Sequence, residues 1–183
     1  EALDEQDDLI NEFAKVADEL QQILSSLEAS TFVKRFKAAS RKQTEIAKRL
    51  NGTLGSSFGL AKHRIEQQLR DVAEETAVEQ EEQSRFIYDI QSDLEAYFQR
   101  KQESLFENVL LQMKDASVVS NIKSIGESTR TNLNGRSIAA SEFWADTLDR
   151  WAEELVAAAE ESGKGDQKEG QEKDGLPPEI VLQ

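Results

Sequence analysis

Proline is missing from the first 176 residues of this 183-residue chain, and the two prolines are Pro177 and Pro178. Because proline costs about 3 kcal/mol in a helix interior, its absence leaves long helices possible. Over nearly the same region, apolar residues recur at alternating spacings of three and four. This spacing keeps them on one stripe of a helix. We therefore predict an all-α protein built from long antiparallel amphipathic helices.

Cysteine is absent and His63 is the one histidine. Disulfides, thiolate metal ligands and a cysteine nucleophile are therefore excluded. A single imidazole leaves too few ligands for a closed zinc site or a di-iron bundle. His63 stands beside Lys62 and Arg64, so we expect it to be solvated near a helix start. We predict no metal, no cofactor and no enzymatic activity.

Basic residues are scarce, because 22 lysines and arginines face 36 acids and the net charge is −14. A nucleic-acid surface needs a basic stripe to neutralise phosphates, so nucleic acid is not an expected partner. Anionic membranes are disfavoured for the same reason. No apolar run reaches the roughly 20 residues that cross a bilayer, so we expect no direct membrane insertion.

The spacing of apolar residues predicts five helices. They are expected at about Leu3–Leu27, Phe32–Asn51, Leu60–Met113, Ser117–Leu133 and Ser137–Ser162. Ser30 and Thr31 interrupt the pattern and can cap the second helix, while Asn51 and Gly52 suit its end.

The lengths of these helices predict two three-helix bundles that share the long third helix, residues 60–113. The first bundle is expected at residues 1–83 and the second at residues 84–162. The alternative is a single elongated four- or five-helix bundle. Residues 163–175 lack apolar side chains and are predicted to be a flexible linker.

Both ends of the sequence suggest a larger parent protein. The chain starts at Glu1 without methionine. Residues 176–183 contain Pro177 and Pro178 and then a new apolar pattern, which we expect to be the start of a truncated following segment.

Charge divides the first two predicted helices. Residues 1–30 carry nine acids and one base, a net charge of −8, whereas residues 31–52 carry seven bases and one acid, a net charge of +6. Opposite charge favours pairing, so we predict that the two helices form an antiparallel hairpin. In that arrangement the first helix neutralises the basic face of the second.

Trp144 and Trp151 are seven residues apart and share one face of the fifth predicted helix with Leu148. We predict that both indoles are buried in the core of a bundle. The alternative is an exposed interaction surface, for which they are the candidate residues.

Three stretches resemble one group of proteins: residues 132–139 (NLNGRSIA), residues 143–152 (FWADTLDRWA) and residues 176–179 (LPPE). The group consists of large, uncharacterised helical bacterial proteins of planctomycete type that are exported or membrane-associated. The resemblance covers the last third of the chain. It implies a bacterial source, a larger parent protein and an extracytoplasmic or membrane-associated setting, and it carries no activity with it.

The sequence favours a non-enzymatic scaffold or protein-interaction module with a protein partner or with self-association. One alternative is a helical sensory bundle that holds a small molecule between its helices. A cavity lined by polar residues near Gln43, Thr76 or Gln83 would favour that alternative. A third hypothesis, reversible lipid binding by amphipathic helices, is opposed by the acidity of the chain.

Overall fold

The computed structural model describes the backbone of residues 2–169 and the side chains of Gln6 and residues 9–157. Within that range a short 3-10 turn, Lys62–Arg64, precedes the second of five α-helices. The helices are α1 (Ala2–Ser57), α2 (Gln67–Lys101), α3 (Ser104–Asp115), α4 (Val118–Arg130) and α5 (Asn134–Glu169). Residues 2–169 contain no strand, so the predicted all-α class is confirmed.

The second half of α1 runs antiparallel to both α2 and α5. Against α2, Arg35 Nη1 lies 2.6 Å from Asp93 Oδ2, and Arg49 Nη1 lies 2.7 Å from Glu79 Oε1. Residue numbers therefore rise along one helix as they fall along the other. Against α5, the rings of Phe36 in α1 and Trp151 are 6.1 Å apart.

The other long contact of α2 is with α4, and these helices are also antiparallel. Ser84 Oγ donates a hydrogen bond to the carbonyl of Val119 at 2.9 Å. Two helical turns farther along this contact, Gly126 of α4 lies against Ala77 of α2. A Cβ on the glycine would be 3.0 Å from the alanine carbonyl oxygen. α3 is followed directly by α4, so these two short helices together occupy one of the four positions of a four-helix bundle. The other three positions are those of α1, α2 and α5.

A single cluster of buried apolar residues joins all five helices. It includes Phe36 from α1, Leu94 from α2, Met113 from α3, Ile122 from α4 and Trp151 from α5. The five helices thus pack around one buried cluster as an all-α bundle, which is the fold class that the sequence predicts.

The first two predicted helices are one continuous helix, α1, so the predicted hairpin between them is wrong. Ser30 and Thr31 do not interrupt it, because Thr31 Oγ1 donates to the Leu27 carbonyl at 2.9 Å and so is satisfied within the helix. Asn51 and Gly52 also lie inside α1, which ends at Ser57.

The long third helix is interrupted, contrary to the prediction. Gln102 has a left-handed φ of 53°, and its N–H donates to the Phe98 carbonyl at 2.7 Å to close α2. A second left-handed residue, Ser117 with φ 48°, separates α3 from α4, where the sequence predicts the boundary between the third and fourth helices. Gln102 is not a glycine, so the sequence carries no such signal for the break between α2 and α3.

The predicted linker begins inside α5, whose backbone is helical to Glu169. The remainder of the linker and the predicted segment 176–183 lie outside the described residues.

Candidate interaction surface

The first half of α1 exposes a set of large apolar side chains. We call residues 2–27 the N-terminal arm. Eight of its apolar side chains are between 51% and 66% exposed, and we call them the arm stripe: Leu9, Ile10, Phe13, Val16, Leu20, Ile23, Leu24 and Leu27. Isolated exposed apolar residues are common, but a contiguous row of them marks an interaction site.

The spacing of the arm stripe places it on one side of the helix. Six members, from Leu9 to Leu27, follow one another at intervals of 4, 3, 4, 3 and 4. This is the spacing of the two buried positions of a helix that packs against another helix. Ile10 and Leu24 widen the stripe along one flank, which is typical of helices in bundles.

The arm stripe points away from the side of α1 that enters the bundle. The core side of the same helix includes Phe36, Ala39 and Ile46, each fully buried. With about 100° of rotation per residue, the middle of the arm stripe lies about 150° around the helix axis from that core side. Because α1 is continuous, the arm cannot turn its stripe toward its own bundle.

Charged residues change sign along the α1 flank beside the stripe. Glu12 and Glu19 are exposed within the arm. Farther along the same flank, Lys34, Arg41 and Lys48 are exposed at intervals of seven, and we call these three residues the basic row. One side of one helix thus carries an acidic apolar half and a basic half.

The other bases of residues 31–52 are neutralised within the bundle, and not by the arm as predicted. Lys37 Nζ lies 2.7 Å from Asp149 Oδ1 of α5. Lys42 and Arg49 both contact the carboxylate of Glu79 in α2, at 3.1 and 2.7 Å. Burial works against the charged form of Glu79, but the hydrogen bonds from Arg49 and Lys42 outweigh it and lower its pKa.

Trp144 and Trp151 are buried, with exposures of 5% and 1%. Their rings are 6.3 Å apart, and Trp151 Nε1 donates to Gln112 Oε1 of α3 at 2.8 Å. A partner would have to open the bundle to reach either indole. Phe143, the neighbour of Trp144, is 61% exposed on the outer side of α5.

Two of the three polar residues named for a ligand cavity are hydrogen-bonded inside the bundle. The side chains of Gln43 and Gln80 exchange two hydrogen bonds, at 2.9 and 3.0 Å, and Gln80 also donates to Ser141 Oγ at 3.1 Å. Thr76 Oγ1 donates to a backbone carbonyl of its own helix at 2.7 Å. The third residue, Gln83, has a buried Oε1 without a hydrogen-bond partner among the described residues.

A cavity of about 30 Å³ lies at the loop end of the bundle, between Leu50, Ile65 and Asn132. Gln43, Thr76 and Gln83 do not line it. Its volume is about that of one or two water molecules, far below the 300–1,000 Å³ of ordinary ligand pockets.

Groups with catalytic potential are dispersed. His63 is exposed in the 3-10 turn. Burial raises the pKa of the Tyr97 hydroxyl, which donates to Glu103 Oε1 at 3.1 Å and so links the end of α2 to the start of α3. The part of the chain that the structure describes contains no group of three or more potential metal ligands, and none of its helices is long and apolar enough to cross a bilayer.

Comparison of the sequence with protein-family models finds no match, and comparisons with curated proteins and with solved structures find none either. The class defined by the structure is an antiparallel helical bundle with a projecting helical arm.

The exposure of the arm differs from the prediction, because the predicted hairpin packs residues 3–27 against the second predicted helix. The sequence carries a signal for the exposure of the arm. The regular 4,3 spacing ends at Leu27, and the buried residues Phe32 and Phe36 lie five and nine residues after it.

Proposed function

We propose that this chain is a non-enzymatic interaction module in which the N-terminal arm docks a helix of a protein partner. The observation that carries the proposal is the arm stripe, eight large apolar side chains that are 51–66% exposed on a helix outside the bundle. Burying that surface against a partner is favourable by about 25 cal/mol per Å² of apolar area.

The bundle serves as the rigid base of the arm. α1 passes without interruption from the arm into the core, where Phe36 and Ile46 are fully buried. A helix anchored in this way holds its docking side in a fixed direction, so that less conformational entropy is lost on binding. The arrangement suits a scaffold that positions a partner.

A sensory role has weaker support. The buried glutamines and Ser141 are hydrogen-bonded to one another, and the cavity beside Leu50 holds little more than water. Lipid binding is opposed by the charge of residues 1–30, which is −8.

Site-specific photo-crosslinking in cells that produce the chain tests the docking role. Benzoylphenylalanine replaces Leu20 on the arm stripe or, as a matched control, Asp18, which lies two residues away on the opposite side of the arm. We expect the Leu20 position to form an adduct at least five times more efficiently than the Asp18 position. Absence of an adduct from both positions, or equal yields, would contradict the proposal.

A further inference from the structure

We propose, building on the docking role above, that the arm stripe is covered by the arm stripe of a second copy of this chain, with the two arms antiparallel. Three observations lead to this partner: the symmetry of the apolar spacing, the division of charge along α1 and the direction in which the stripe points.

The apolar spacing of the arm is the same in both directions. Intervals of 4, 3, 4, 3 and 4 read identically from Leu9 to Leu27 and from Leu27 to Leu9. In an antiparallel pair, Leu9 of one copy faces Leu27 of the other, and Val16 faces Leu20. Phe13 likewise faces Ile23, so every apolar layer is matched by an apolar layer.

The flank beside these layers is matched as well. Two antiparallel helices bring the same flank of each copy together. Ile10 and Leu24 lie on one flank, so Ile10 of one copy approaches Leu24 of the other. The remaining flank residue between them is Ala17, which is small enough to lie near its own copy at the two-fold axis.

Charge at the two ends of the contact favours the antiparallel orientation over the parallel one. In a parallel pair the acidic starts of the two arms lie level with each other, and each member of the basic row faces its own copy. In an antiparallel pair the acidic ends are at opposite ends of the contact. Each end, with Asp4, Glu5, Asp7 and Asp8 in the sequence, then reaches the partner near Lys34.

The direction of the stripe leaves room for a second bundle. The arm stripe is about 150° around α1 from the core side, so each bundle lies behind its own arm. α5 packs on the core side of α1, where Phe36 meets Trp151, and is therefore on the wrong side to cover the stripe. A contact between two identical patches related by a two-fold axis closes as a dimer.

The first experiment measures the oligomeric state of the full chain by sedimentation equilibrium over a wide range of concentrations. We expect a dimer, and we expect Phe13→Glu to raise its dissociation constant at least a hundredfold. Phe58→Glu is the matched control, because Phe58 is 76% exposed but lies at the loop end of the bundle. A monomeric parent chain, or equal effects of the two substitutions, would overturn the proposal.

The second experiment determines orientation. Since the chain contains no cysteine, Asn11→Cys or Asp18→Cys provides one attachment point for a spin label on the side of the arm opposite the stripe. In the antiparallel pair the two labels at position 11 are offset along the axis by about 14 residues, or about 21 Å at 1.5 Å per residue, whereas those at position 18 are level. Equal separations at both positions, as in a parallel pair, would overturn the proposal.

The photo-crosslinking above separates this inference from the docking role on which it rests. An adduct from position 20 with twice the mass of the chain supports the second copy. An adduct with a different protein, together with a monomeric parent chain, leaves the docking role in place and overturns self-association. A crosslink from position 20 to another segment of the same chain, in a monomer, would indicate that the chain's own residues cover the arm stripe, and would overturn both.

Discussion

Trp151 is the largest fully buried side chain in the described region. It is 1% exposed, its ring meets Phe36 edge-on, and its indole N–H reaches Gln112. It therefore joins α1, α3 and α5 through both apolar and hydrogen-bonding contacts. The helical spacing of Trp144 and Trp151 was sufficient to predict their burial, because both repeat with Leu148 on one side of α5.

Trp151→Ala is expected to lower the free energy of unfolding by about 3–5 kcal/mol, because it leaves a large cavity and removes the donor to Gln112 Oε1. The matched control is Phe143→Ala on the same helix. Phe143 is 61% exposed, and its replacement is expected to change stability by less than about 1 kcal/mol. Urea unfolding of both variants measures the difference. Similar losses for the two would mean that Trp151 is not part of the core.

At the scale of helices, α2 and α4 approach each other closely. Gly126 permits this approach, since the glycine hydrogen faces the carbonyl of Ala77 where a Cβ would be 3.0 Å from the oxygen. Gly52, in contrast, lies within α1 at a position where an added Cβ would meet nothing within 4 Å. Gly126 therefore permits a close contact between two helices, whereas Gly52 lies at an open position of α1.

Gly126→Ala is expected to destabilise the bundle by about 1–3 kcal/mol, because two backbones must separate. Gly52→Ala is expected to stabilise it by about 0.5–1 kcal/mol, because alanine restricts the unfolded chain and favours the helix. Thermal unfolding of the two variants and the parent chain tests both signs. A stabilising Gly126→Ala would show that α2 and α4 are not held in close contact.

The sequence determined the helical class but not where each helix is interrupted. Apolar periodicity indicates which residues share one side of a helix, and it predicted the helices that contain Ile90, Ile122 and Trp151. The break at Gln102 places a non-glycine residue in a left-handed conformation, which no local pattern predicts, whereas the boundary at Ser117 follows from the apolar spacing. The hairpin prediction failed because Ser30 and Thr31 are polar residues that a helix accepts.

On the scale of the molecule, ion pairs join neighbouring helices of this acidic chain. Glu79 of α2 lies between Lys42 and Arg49, and Glu81 accepts a hydrogen bond from Arg130 of α4 at 2.7 Å. The Arg130 contact lowers the pKa of Glu81. Two carboxylates of α2 thus connect it to helices on either side.

Stability is expected to fall as the pH drops below the ordinary glutamate pKa of about 4.3. The pKa of Glu79 is lower in the folded chain than in the unfolded chain. Its contribution is therefore present above the unfolded value and is lost as the pH falls through the folded one. Glu79→Gln should be less stable at pH 7 and should lose less stability between pH 5 and 3, as measured by urea unfolding.

Glu75→Gln is the control for this pH dependence. Glu75 is exposed one turn earlier on α2 and forms no ion pair within residues 9–157. Its replacement is expected to leave the pH profile of the parent chain unchanged. An identical profile for Glu79→Gln would show that the contacts with Lys42 and Arg49 do not contribute to stability.

The continuity of α1 couples the rotational phase of the arm to that of the core. One alanine inserted after Glu28 would rotate the arm stripe by about 100° about the helix axis and lengthen the rod by only about 1.5 Å. Seven inserted alanines would lengthen it by about 10 Å but return the stripe to within about 20° of its original direction. The longer insertion should therefore disturb a directional partner less than the shorter one. The insertion of a single residue would therefore alter the direction of the arm stripe far more than its reach.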